Sequence, residues 1–80
     1  MSTSPVQVEA LAVAVSFTEH AIQVTLADGR EVSAPLAWFP RLREASADQL
    51  KAWCLIGGGI GIHWEEIDED ISVESLLALR

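Results

Sequence analysis

The sequence predicts an α+β fold: a small antiparallel β-meander of three strands and a short fourth strand, covered by one helix and a C-terminal helical turn. Large apolar residues recur at every second position over residues 11–17 and again over residues 22–26, an Asp28-Gly29 pair follows them, and a helix-capping pattern begins at Ser46. Half of the 80 residues are apolar, which suffices for one small core. We therefore expect a flexible tail over residues 1–9 and a single domain over residues 10–80.

The first two strands are predicted from the alternation of side chains along them. Large apolar residues share one face of each: Leu11, Val13, Val15 and Phe17 in the first, and Ile22, Val24 and Leu26 in the second. Asp28 and Gly29 both tolerate positive φ, which favours a hairpin into a third strand over residues 30–34. Pro35 removes a backbone donor and should end this ladder.

A helix is predicted over residues 47–56. Ser46 and Gln49 stand three positions apart, as in a capping box, which marks the helix start. The three glycines at positions 57–59 should end the helix, because glycine adopts left-handed backbone angles at little cost.

Two short elements complete the predicted fold. Apolar residues alternate at Ile60, Ile62 and Trp64, which predicts the short fourth strand at these positions. Ser72 is a suitable helix cap, and it predicts a last helical turn or two over residues 73–79. The chain has neither an internal repeat nor a low-complexity tract.

The balance of charge restricts the partners. Twelve acidic and five basic residues give a formal net charge of −7, and phosphate backbones repel such a surface. We therefore expect no direct contact with nucleic acid and a basic protein as partner. The sequence has no apolar run of membrane-spanning length and no signal-like N-terminus, which predicts a cytoplasmic protein without membrane contact.

No group of residues forms a recognisable catalytic, cofactor or metal site. Cys54, the single cysteine, lies in an apolar run and is expected to be a buried small hydrophobe. His63 could hold a metal ion with Glu65 and Asp68, but a hydrogen-bonded structural histidine is favoured, because a local run rarely supplies preorganised ligands. The glycine-rich stretch at 57–61 follows a predicted helix instead of preceding one, and it lacks the lysine of phosphate-binding loops.

A protein-contact surface is the best functional candidate. Trp38 and Phe39 lie in a chain turn close to Arg41, and aromatic residues with arginine are typical of interface hot spots. Positions 65–70 hold five carboxylates without the spacing of a calcium loop. The residues predicted to contact a partner are Trp38, Phe39, Arg41, Glu65, Glu66, Asp68, Glu69 and Asp70.

Several motifs resemble those of a known family. They are Asp28-Gly29-Arg30, Pro35-Leu36-Ala37-Trp38-Phe39-Pro40-Arg41-Leu42, Gly59-Ile60-Gly61-Ile62-His63-Trp64, and Ile67-Asp68-Glu69-Asp70-Ile71-Ser72 with Leu76-Leu77. Over residues 10–79 the chain resembles the bacterial domain of unknown function (DUF) 2442 family. The resemblance implies a small α+β domain, sometimes fused to a helix-turn-helix module and often encoded beside another small uncharacterised protein. The family has no established catalytic residues to carry over.

These observations together predict a non-enzymatic protein-interaction module. The resemblance implies an antitoxin-like or regulatory role toward a small protein encoded by a neighbouring gene. Two alternatives stay open: a small-ligand or metal-binding domain, and a DNA-associated regulator that acts only with a basic partner. A homodimer stays open as well, because the edges of small open sheets pair readily.

Overall fold

A computed structural model describes residues 10–78, and the tail predicted over residues 1–9 lies outside them. The elements are β1 (Ala12–Phe17), β2 (Ala21–Leu26), β3 (Glu31–Pro35), a 3-10 turn (Leu36–Trp38), α1 (Pro40–Arg43), α2 (Ala47–Lys51), β4 (Trp53–Ile56), β5 (Gly61–Trp64), β6 (Glu69–Ser72) and α3 (Val73–Ala78). The strands form two antiparallel three-stranded sheets, sheet 1 (β1–β2–β3) and sheet 2 (β4–β5–β6). The α+β class is confirmed, but its description as one meander with a fourth strand is wrong. No helix within residues 10–78 is long and apolar enough to span a membrane.

Sheet 1 is the predicted meander, with β2 in its centre. Gly29 has a φ of 95°, and its N–H donates to the carbonyl oxygen of Leu26 at 2.9 Å, which closes the β2–β3 hairpin. The Arg30 N–H donates to the Asp28 carboxylate at 3.0 Å. This bond, supported by Arg30 Nε at 2.8 Å, lowers the pKa of Asp28 below its usual value. The hairpin that the sequence predicted at this pair is therefore confirmed.

β1 departs from the predicted alternation at Val13. The register shifts by one residue between Ala12 and Ala14, which makes Val13 the extra residue of a β-bulge. Ala12 is 1% exposed, whereas Val13 is 51% exposed. The prediction that Val13 shares an apolar face with Val15 and Phe17 is wrong, because the bulge reverses the alternation at that point.

The helix predicted over residues 47–56 ends at Lys51. Its capping box is confirmed. Ser46 Oγ accepts the N–H of Gln49 at 3.1 Å, and the Gln49 side-chain oxygen accepts the N–H of Ser46 at 2.9 Å. The start of this helix was therefore predicted correctly and its length was not.

A β-hairpin takes the place of the second half of that helix. β4 pairs with β5, and the turn between them holds Gly57, Gly58 and Gly59 at φ angles of 61°, 71° and 115°. The glycines form a hairpin turn and do not end a helix. The Trp53–Ile56 segment is apolar throughout, so its sequence fits a helix or a strand equally well, and the pairing with β5 selects the strand.

The C-terminal part of the chain holds one strand that was not predicted. The predicted fourth strand is confirmed as β5, and β6 pairs with it so that Ile71 lies opposite Ile62. A turn over residues 65–68 joins the two strands. The last helix is confirmed as α3, and Ser72 Oγ accepts the N–H of Ser75 at 3.0 Å at its start.

One core joins the two sheets. Its buried apolar residues are Ala12, Ile22, Val24, Leu26, Ala34, Leu36, Leu42, Ile62, Trp64, Ile71, Val73 and Leu76. Trp64 is 1% exposed, and its indole N–H donates to the carbonyl oxygen of Leu50 at 3.1 Å. Its ring meets the ring of Phe17 edge-on, with 6.3 Å between the centroids. Trp64 thereby connects α2 and β1 to sheet 2.

Gly59→Ala should destabilise the protein more than Gly58→Ala. Both glycines have positive φ, so alanine costs about 1–2 kcal/mol at either position. A Cβ on Gly59 would also lie 2.5 Å from the carbonyl oxygen of Ala12, whereas one on Gly58 would meet nothing within 4 Å. We expect a further loss of about 2 kcal/mol in the free energy of unfolding of Gly59→Ala, measured by urea denaturation. Equal midpoints for the two variants would contradict the close contact between the β4–β5 turn and β1.

Candidate functional site

The predicted aromatic contact lies on a short, anchored segment between β3 and α1. Leu36 and Leu42 on either side of it are 7% and 1% exposed. Phe39 packs partly buried against the core, and its N–H donates to the carbonyl oxygen of Leu36 at 2.9 Å. Pro40 occupies the first turn of α1, where its fixed φ suits a helix start. A constrained backbone therefore holds Trp38 with 45% of its surface in solvent.

Arg41 connects this segment to the acidic turn between β5 and β6. Its Nη1 donates to the carbonyl oxygen of Asp68 at 2.6 Å, and the Asp68 carboxylate lies 3.9 Å from the same nitrogen. The two residues are 27 positions apart in the sequence. The structure thus brings together the two parts of the predicted contact surface.

A second hydrogen bond holds the acidic turn against α2. Gln49 Nε2 donates to Glu66 Oε1 at 2.7 Å. Sequence reasoning missed this contact, because the capping box already accounted for Gln49. A signal was available, since a side-chain amide whose oxygen caps a helix keeps two N–H groups that can donate elsewhere.

The carboxylates of the acidic run do not form one cluster. Glu65, Glu66 and Asp68 are exposed on the turn. Glu69 and Asp70 belong to β6, and successive residues of a strand point to opposite faces. Glu69 is half-buried and Asp70 is exposed. The carboxylates beside α1 and α2 are therefore those of the turn, and not those of β6.

Cys54, His63 and Asp70 lie side by side on β4, β5 and β6. His63 Nδ1 is hydrogen-bonded to Asp70 Oδ1, so His63 is the hydrogen-bonded histidine that the sequence favoured. Cys54 is exposed, and the prediction of a buried thiol is wrong, because its segment is an edge strand and not a buried helical stripe. Its Sγ donates to the backbone carbonyl oxygen of His63 at 3.5 Å. Among residues 10–78, no three His, Cys, Asp or Glu side chains gather so as to hold a metal ion.

Three hollows in the described surface have the volume of a small-molecule site, and the shallowest of them, of about 340 Å³, lies beside β2 and β3 and is lined by His20, Ala21, Ser33, Ala34 and Pro35. The largest, of about 530 Å³, is lined by Ala10, Ile60, Ser72, Glu74 and Leu77. The third, of about 360 Å³, lies between β1, α2 and β4 and includes Phe17, Leu50 and Trp53. His20 is the one histidine that lines any of these three hollows, and none of the three is lined by Cys54 or by a residue of the predicted contact surface.

Comparison with known proteins identifies a family and a similar fold. A family model described as "Protein of unknown function (DUF2442)" matches residues 12–80. The crystal structure of a protein of unknown function from Rhodospirillum rubrum ATCC 11170, at 2.75 Å resolution, is 33% identical with a TM-score of 0.74. The match covers 88% of this chain and 87% of that one. No curated protein matches. The family expected from the motifs is confirmed, and neither match names an activity.

Arg41→Ala should loosen the acidic turn. Without the guanidinium, the amide hydrogens of residues 65–68 should exchange faster, and the free energy of unfolding should fall by about 1 kcal/mol or less, because the bond is exposed. Arg43→Ala is the matched control, since Arg43 is exposed on the same helix and forms no ion pair within the described part of the chain. Equal exchange rates in the two variants would show that Arg41 does not hold the turn.

Proposed function

This chain belongs to the DUF2442 family, and we propose that it is a non-enzymatic protein-interaction module. Its contact surface comprises Trp38, Phe39, Arg41 and the acidic run at positions 65–70. The partner is a small basic protein, toward which this chain acts as the antitoxin-like or regulatory half. The observation that most supports the proposal is the Arg41–Asp68 hydrogen bond, because it joins the carboxylate-rich turn to the helix that directly follows the segment of the exposed Trp38.

Trp38 supplies the binding energy in this proposal. The other two tryptophans take part in the core or its margin, since Trp64 is buried and Trp53 is half-buried. Covering an exposed tryptophan at an interface contributes about 2 kcal/mol or more to binding. The 3-10 turn and its buried leucines already fix the backbone at Trp38, so a partner would lose little affinity to the ordering of this segment.

The acidic turn supplies attraction over a longer range. Glu65, Glu66 and Asp68 are exposed, in a chain whose net charge is −7. Such a surface attracts a cationic protein, repels nucleic acid and acts chiefly on the rate of association. The hydrogen bonds from Gln49 and Arg41 restrain the turn, so its charges keep a defined place beside α1 and α2.

Binding is proposed in preference to catalysis because of how the reactive side chains are placed. A thiol that is activated by a neighbouring histidine is hydrogen-bonded to the ring of that histidine. The Cys54 thiol donates instead to the backbone carbonyl oxygen of His63, and among residues 10–78 the hydrogen bond of the His63 ring is to Asp70. A single exposed cysteine also suits a reducing compartment, which supports a cytoplasmic location.

Trp38→Ala should weaken the complex with the product of the neighbouring gene while the fold stays intact. The two proteins would be co-expressed and purified, and the dissociation constant measured by titration calorimetry. A loss of about 2 kcal/mol corresponds to an affinity about 30-fold lower. The circular dichroism spectrum and the melting temperature should match those of the wild type, because Trp38 lies outside the core.

Ile60→Ala is the control for this experiment. Ile60 is 56% exposed but lies on the β4–β5 turn, outside the proposed surface, so its variant should bind as the wild type does. Unchanged binding by Trp38→Ala would refute the proposed interface. Failure of the wild type to bind the neighbouring product at all would refute the proposed partner.

A further inference from the structure

The hollow between β1, α2 and β4 is the most enclosed of the three hollows and has apolar walls. Val15, Phe17, Leu50 and Trp53 line it, and each of these side chains is half-buried against the core. Its volume of about 360 Å³ lies within the range of small-molecule sites, which are lined mostly by apolar and aromatic side chains. A compact apolar molecule would therefore bury part of its surface against these four side chains.

Lys51 is the one charged residue among those that line this hollow, and it is exposed at the rim. The four ion pairs within residues 10–78 join other residues, so Lys51 has no carboxylate partner in that part of the chain. Asp48 lies one turn earlier on α2, but it neither lines the hollow nor pairs with Lys51. The ammonium group at the rim is therefore available to an anion.

The remaining polar side chains of the lining add hydrogen-bond donors and no carboxylate. The indole N–H of Trp64 donates to Leu50, but within residues 10–78 the indole N–H of Trp53 has no such acceptor. The hydroxyl of Ser16 donates to Gln23 at 3.5 Å, which is a long hydrogen bond. A half-buried indole N–H usually has a partner. The lining thus provides an ammonium and an indole N–H for a ligand that brings acceptors.

We propose that this hollow binds a small aromatic carboxylate. The ring of the ligand would lie against Phe17, Leu50 and Trp53, and its carboxylate would lie at the rim beside Lys51. Aromatic rings favour edge-on or offset contacts with one another, and two of the walls carry such rings. The hollow lies outside the surface proposed for the basic partner, so neither proposal depends on the other.

The net charge of −7 is compatible with an anionic ligand at this position. At physiological ionic strength, exposed charges more than about 8 Å apart are largely screened, so the groups nearest the ligand decide which charge it carries. In this lining those groups are one ammonium and no carboxylate. Glu74 lines the largest hollow and would repel an anion, and neither lysine nor arginine lines the shallowest one. The hollow beside Lys51 is therefore the one of the three whose lining favours a carboxylate.

Titration of the full chain with 1-naphthoate, followed by the amide signals in NMR spectra, tests the proposal. The signals of residues 15–17 and 50–53 should shift and saturate. A dissociation constant of about 1 mM or lower is expected for a ligand of this size. The neutral 1-naphthamide has nearly the same shape and should bind about fivefold more weakly, since an exposed ion pair contributes modestly. The cationic 1-naphthylmethylammonium should bind more weakly still.

Lys51→Gln should weaken the binding of 1-naphthoate about fivefold and leave that of 1-naphthamide unchanged, because it removes the charge and keeps most of the length. Arg43→Gln is the matched control. Arg43 is also an exposed base at the end of a short helix, but it does not line the hollow, so its variant should bind as the wild type does. Ala47→Phe places a ring at an exposed position of the lining and should weaken the binding of both ligands.

Three results would each overturn the proposal: signals of the lining that do not saturate, equal affinities for the carboxylate and the amide, or equal weakening by Lys51→Gln and Arg43→Gln. If Lys51→Gln does not fold, the comparison of the three ligands on the wild type decides. Trp38→Ala should bind 1-naphthoate as the wild type does, because Trp38 does not line the hollow. That result separates this experiment from the test of the partner surface.

Discussion

The buried indole of Trp64 is the contact on which the rest of this fold depends. It lies at the end of β5, donates its N–H to the carbonyl oxygen of Leu50 in α2, and meets the ring of Phe17 in β1. A five-residue helix is too short to be stable alone, and each three-stranded sheet has an apolar face that must be covered. Since an unpaired buried N–H would cost about 1–3 kcal/mol, this hydrogen bond fixes where α2 lies as well as how the sheets meet.

The acidic turn takes its position from the same residue. Glu65 follows Trp64 directly, so the chain leaves the core and enters the turn within one residue. Arg41 and Gln49 then bond to the turn from α1 and α2. The aromatic segment and the acidic run could be identified as surface from the sequence. Each is a short run of neighbouring residues that contains turn-forming prolines or carboxylates. Sequence reasoning could not predict the bond between Arg41 and Asp68, because a contact across 27 positions exists only in the folded chain.

Sheet 1 could be predicted from the sequence more fully than sheet 2 because its signals are local. In β2 every second residue is buried, and the Asp28-Gly29 pair specifies the following turn. β4 has four apolar residues in a row and β6 has one apolar residue, Ile71, so neither shows a period. Both become strands by pairing with β5. Local sequence could likewise not predict which face of sheet 1 Val13 lies on, because a bulge is defined by the register with the neighbouring strand.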